Sequence, residues 1–117
     1  MSALKEFVEQ ELGSFRRARA LGDRDGAWAA LERAHILSQP DAWLHTRVHL
    51  AMLGHGMELA DWDEVAGQVV RTAVAGIGSL LGKAPIGNTG RSNVPILQPM
   101  PVPPDLAEKL EKAARVP

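Results

Sequence analysis

Glu32 with His35, and His45 with His49, are the residues whose types and spacing read most directly as chemistry. On a helix, residues three or four apart lie on one face, so each pair can point at a single ion. Three imidazoles and one carboxylate form a borderline-soft donor set. It suits zinc, nickel, copper(II) or non-haem iron, and it matches calcium and magnesium poorly. If all four side chains coordinate, the ion is enclosed and the role is storage or structure. If three do, an open position can activate water, and hydrolysis or oxidation becomes accessible. Each residue also has a plain structural reading. A lone histidine on an apolar face, as His35 is beside Trp28 and Leu31, is ordinarily a satisfied core residue; Glu32 could pair with Arg16 or Arg17; and His45 and His49 fit a solvated helix edge. What favours the metal is that two ligand-spaced pairs fall on adjacent helices. His55, between Gly54 and Gly56, reads as solvent-facing and stays outside the set.

Two further features compete for attention. Gly87-Asn88-Thr89-Gly90-Arg91 is a glycine-rich turn with a basic residue, able in principle to cradle an anion through backbone N–H groups. It lacks the Lys-Ser/Thr ending and the preceding strand of a phosphate loop, so the better reading is a turn that folds the chain back, with Arg91 salt-bridged to the helices. Trp28, Trp43 and Trp62 stand near three helix starts, which fits core or hinge packing better than a ligand pocket. A metal-free enzyme, with His35 or His45 as general base oriented by Glu32 or Asp41, ranks last because no nucleophile with a placed base is visible.

The elements that must position these residues are helical. Leu4, Phe7, Val8, Leu12 and Phe15 recur at three- and four-residue steps and predict a helix over 3–20. Leu21-Gly22-Asp23 ends it, and Asp23 or Asp25 caps a second helix with Ala27, Trp28, Leu31, Ala34 and His35 on its stripe, ending near Gln39. Pro40 and Asp41 open a third helix with Leu44, Val48, Ala51 and Met52 apolar. Asp61 and Glu64 have the spacing of a capping box, before a fourth stripe of Val65, Val69, Ala73, Ile77 and Leu80 that stops at Gly82. The short link between the second and third helices makes them antiparallel neighbours, with His35 just before the bend and His45 just after it.

Residues 83–104 differ in kind. Six prolines there forbid a helix, while Ile86, Val94, Ile96, Leu97, Met100 and Val102 give the segment apolar residues to bury, so it is expected to wrap across the bundle. Residues 105–115, with Leu106 and Leu110 on one face, predict a short last helix. The expected fold is all-α: a four-helix antiparallel bundle-like unit, an extended Pro-rich segment and a C-terminal helix. A weak repeat, Leu21-Gly22-Asp23-Arg24-Asp25 against Leu59-Ala60-Asp61-Trp62-Asp63, adds a likeness to tetratricopeptide hairpins. The alternative function is therefore a helical adaptor that binds a protein partner, or a second copy of itself, without metal.

Composition sets the outer bounds. A chain of 117 residues supports one core, so one domain is expected over 1–117, with a helical core at 3–82. Ala, Leu and Val dominate the apolar residues and tyrosine is absent, which favours helices over strands. The formal net charge is −1 with both signs interspersed, which argues against a nucleic-acid surface. The absence of cysteine removes disulfides and thiolate ligands from consideration. No secretion signal is legible at the start, and no apolar run approaches the ~20 residues of a membrane span, so the expected compartment is the cytoplasm and no membrane partner is expected.

Several segments also resemble a known family of short bacterial proteins grouped as a domain of unknown function and often found near heavy-metal-handling genes. They are Leu31-Glu32-Arg33-Ala34-His35-Ile36-Leu37, His45 to His49, Pro85-Ile86-Gly87-Asn88-Thr89-Gly90, Asn93-Val94 and Pro99-Met100-Pro101, within residues 15–104. The resemblance implies that the histidine segments and the Gly-Asn-Thr-Gly segment belong together in one fold, and its genomic setting adds weight to a metal. It implies no particular ion or reaction.

Overall fold

The computed structural model describes residues 2–80, 89–93 and 98–115, with the side chains of 75–80 excepted. Five helices follow one another: α1 (Ala3–Ala20), α2 (Arg24–Ser38), α3 (Ala42–Glu58), α4 (Trp62–Leu80) and α5 (Pro104–Arg115). There is no strand among the described residues. Helices α1 and α2 pack as one hairpin and α3 and α4 as a second; α2 against α3 joins them, and α5 closes on α1 and α2.

Three-residue hinges build this arrangement, and each ends in an aspartate that starts the next helix. Asp23 accepts from the Gly26 N–H at 2.9 Å, Asp41 from the Leu44 N–H at 3.0 Å and Asp61 from the Glu64 N–H at 3.2 Å. Each thereby satisfies a donor that the helix start leaves without an intrahelical partner. The repeat seen in the sequence is also a repeat of backbone geometry. Asp23 N–H donates to Ala18 O at 2.9 Å and Gly22 N–H to Arg19 O at 3.1 Å; Asp61 N–H donates to Gly56 O at 3.0 Å and Ala60 N–H to Met57 O at 3.1 Å. Both are Schellman closures, which need a left-handed residue at the turn. Gly22 (φ 73°) and Ala60 (φ 54°) supply it.

The core gathers Val8 and Leu12 of α1, Trp28, Leu31 and Leu37 of α2, Leu44, Val48 and Met52 of α3, and Leu106 of α5. Arg33 on α2 ties this core together at its edge, bonding Glu11 on α1 at 3.0 Å and Asp105 at the start of α5. Pro104 occupies the first position of α5, where its missing N–H costs nothing.

Two sequence expectations change. The stripe expected on α4 turns inward only in part: Val65 is half-buried, Val69 is 55% exposed and Ala73 is exposed, the buried positions are Glu64 and Gln68, and the side chains of Ile77 and Leu80 lie outside the described residues. The helix has apolar residues on two sides, and specific polar partners decide which side turns in. Trp28 is core, but Trp43 and Trp62 are exposed, so the three tryptophans do not share one packing role. Of the segment expected to wrap the bundle, residues 89–93 lie against α2 and α4 and Val102 packs on the core. Gly82, Pro85, Ile86, Gly87, Asn88, Val94, Ile96 and Leu97 lie outside the described residues.

Ala60 holds a left-handed conformation that glycine adopts without steric cost. Ala60→Gly should therefore raise stability by about 0.5–1 kcal/mol and Gly22→Ala lower it by a similar amount, read as opposite shifts of the urea midpoint.

Candidate metal centre

His35 lies near the end of α2 and His45 and His49 near the start of α3, so the hinge at residues 39–41 brings all three to one level. All are buried. The Nε2 atom of His35 stands 2.9 Å from Nε2 of His45 and 3.0 Å from Nε2 of His49, and one donor nitrogen from each of the three lies within 4.8 Å of the others. The rings meet edge to face or tilted, with centroids 4.6–4.9 Å apart, so they converge rather than stack. Thr46 and Ser38, which flank the site, turn their hydroxyls back onto the Ala42 and His35 carbonyls.

Behind His49 a polar chain runs outward. Its Nδ1 is 2.8 Å from Oε1 of Gln68; the Gln68 amide nitrogen donates to Glu64 Oε2 and to the Gly90 carbonyl, each at 2.7 Å. Glu64 also accepts from Arg91 Nε at 2.5 Å and from the Ser92 N–H at 3.0 Å. Arg91 completes the layer by resting on the face of Trp28, 3.7 Å from the ring centroid. Burial pushes the Glu64 pKa upward, yet the bonds from Gln68, Arg91 and Ser92 outweigh that and hold it below the ordinary carboxylate range. Burial holds the His49 imidazole below its ordinary value against the opposing bond to Gln68, so the ring is neutral near pH 7.

Residues 89–93 act as a clasp over these side chains. Gly90 has φ 83°, and a Cβ there would come within 2.6 Å of the His35 ring, so both backbone and packing require glycine. The sequence reading of Arg91 as salt-bridged to the helices holds, with Glu64 and, at 3.9 Å, Glu32 as its partners.

The four expected ligands are thus placed as a trio and a neighbour. His35, His45 and His49 converge; the Glu32 carboxylate, half-buried one turn earlier on α2, faces Arg91 rather than Arg16 or Arg17. Burial raises its pKa, opposed by Arg91 and reinforced by Glu64. His55 is not solvent-facing: it is 4% exposed, edge-on to Phe15 and Trp28 at 5.2 and 4.8 Å, and neither ring nitrogen has a hydrogen-bond partner among the described residues. Gly56 beside it leaves room for the neighbouring helix rather than for water, since a Cβ there would already touch Val65 and Glu64. A single glutamine in a valine-rich helix reads as a surface residue, so local pattern does not mark Gln68 as part of the site. Its spacing of four from Glu64 was the available signal.

The chain belongs to the family described as "protein of unknown function (DUF3703)", whose pattern it matches over residues 2–110. No curated protein matches the chain, and no solved structure does.

Two outcomes follow from this geometry. Gly90→Ala forces a methyl into the His35 ring and strains the backbone, so it should cost about 2 kcal/mol in chemical denaturation. The histidines set a pH dependence. Burial lowers the pKa values of His49 and His55, so below about pH 6.5 the unfolded chain takes up protons that the native chain refuses. Metal-free stability should be full above that pH and fall as pH drops towards 5, while the Glu64 contribution persists until lower pH. His55→Phe removes one titrating group and two unpartnered nitrogens; its midpoint should rise at pH 5.5 and its pH slope should flatten.

Proposed function

We propose that this protein binds a divalent transition ion through His35, His45 and His49, with Glu32 as the fourth donor, and serves in metal handling. One observation carries the reading. His35 Nε2 has in-plane capacity for a single partner, either one proton or one lone pair, yet two imidazole nitrogens approach it within 3.0 Å. In this buried site, a single proton on His35 cannot satisfy both contacts, whereas a cation at the point of convergence turns all three lone pairs into ligands. The donor chemistry fits zinc, nickel, copper(II) or iron. Nitrogens that share one tetrahedral zinc sit about 3.3 Å apart, and the two spacings from His35, 2.9 and 3.0 Å, lie close to that. Glu32 suits the fourth place because burial works against its bare charge and its pairing with Arg91 is long. A site roofed by Gly90 and Arg91 favours retention of the ion over turnover of a substrate.

A second reading, docking of a protein partner or a second copy, rests on a different face. Trp43, Leu50 and Met57 recur every seven residues on α3 and are exposed, as are Val69, Val70 and Val74 on α4. The two readings are compatible. Trp43→Glu should change the oligomeric state in light scattering if this face is an interface, and leave metal binding untouched.

Titration calorimetry of the tag-free protein with zinc, nickel and copper(II) tests the metal. One ion per chain is expected, with affinity reduced at least tenfold in His45→Ala and in His49→Ala, a smaller loss in Glu32→Gln and none in His55→Phe. A bound ion should also stabilise the fold by about 2.7 kcal/mol at a hundredfold excess over the dissociation constant. Equal affinity for wild type and the His45/His49 double-alanine variant would remove the site and leave the docking reading.

A further inference from the structure

Gln68 is a polar side chain with no exposed surface, on a helix that exposes Val69, Val70 and Val74. Its three contacts define which end of its amide is which. Glu64 Oε2 and the Gly90 carbonyl, each 2.7 Å away, are both acceptors, so the Gln68 atom that lies between them carries the two amide hydrogens. Glu64 is held ionised by Arg91 and Ser92 and offers no proton in return. The remaining end, Oε1, is an acceptor that faces His49 Nδ1 at 2.8 Å. A neutral imidazole carries one N–H, and the acceptor at Nδ1 claims it. His49 Nε2 is then bare, and its lone pair points at His35.

We propose that Gln68 is the positioning residue of the histidine trio: pinned by Glu64 and the Gly90 carbonyl, it fixes His49 as the Nδ1–H tautomer and aims its Nε2 lone pair at the ion. The inference rests on the metal reading for its purpose, but its structural half stands on the hydrogen-bond pattern alone. Partners one step behind a ligand do this work at metal sites generally, by holding ring orientation and removing the wrong tautomer before the ion arrives. The clasp thereby joins the site. Gly90 O holds Gln68, Gln68 holds His49, and Arg91 and Ser92 hold the carboxylate that anchors Gln68 from the other side.

Two measurements on the full chain separate this inference from the metal reading. The first is nitrogen-15 NMR of the histidine rings in metal-free protein. His49 should be the Nδ1–H tautomer in wild type and in Gln68→Glu, whose carboxyl takes up a proton toward the Glu64 carboxylate and keeps an acceptor oxygen facing Nδ1; in Gln68→Leu the proton should redistribute to Nε2. The second is zinc affinity in the same three proteins. Gln68→Leu should lose about 10–100-fold, the usual cost of removing a partner of a metal-ligating histidine. Gln68→Glu should recover at least tenfold of that loss. A wild-type His49 found as the Nε2–H tautomer overturns the positioning role even if zinc binds. A correct tautomer with equal zinc affinity in wild type and Gln68→Leu also overturns it. A correct tautomer with no zinc bound by any of the three overturns the metal reading instead, and with it the role of Gln68 toward an ion.

Discussion

Three imidazole edges brought together in a buried interior are the constraint around which the rest of this molecule is arranged. A buried nitrogen must find a partner, and three that converge on one point cannot all find it in one another. The hinge at residues 39–41 imposes the crowding, because it sets the end of α2 against the start of α3. Apolar packing by Leu31, Leu44, Val48 and Met52 around that hinge makes the crowding rigid. Separating the rings would open the core, so the cost of the arrangement is carried by the same contacts that hold the helices together.

The polar inner face of α4 answers this constraint. Glu64 and Gln68 occupy positions that an ordinary bundle would fill with valine, and they are tolerable there because every described partner is in place: His49 on one side, Gly90, Arg91 and Ser92 on the other. Removing any one member leaves a buried group without its partner, which is why such networks are costly to break and specific in shape. Arg91 links the network to the aromatic side of the core, since it rests on Trp28, whose neighbour His55 packs against Phe15. The clasp, the second hairpin and the core therefore share one set of contacts.

Much of this was legible in the sequence. The aspartate caps, the order of five helices and the break at the prolines follow from local chemistry: cap residues, proline and the spacing of apolar side chains all act within a few residues. The histidine trio was legible too, because two ligand-spaced pairs flank a short hinge. What stayed hidden depends on contacts across many residues. Val69 and Gln68 both sit on plausible inward faces of α4, and what turns Gln68 inward is a glycine carbonyl 22 residues later. The glycines beside His55 suggest a loose surface turn, but Gly56 admits α4 and the rings of Phe15 and Trp28 cover the imidazole. Glu32 shares a helix face with His35, yet its carboxylate faces an arginine of the clasp, a pairing no local pattern encodes.

The central claim is that three histidines from α2 and α3 share one ion. X-ray absorption at the zinc edge of the loaded, tag-free protein tests it most directly, because imidazole rings scatter in a way that counts them. The account predicts one zinc per chain with three imidazoles at about 2.0–2.1 Å, falling to two when His45 is replaced by alanine. A shell dominated by water or carboxylate oxygen, unchanged by that replacement, would contradict it.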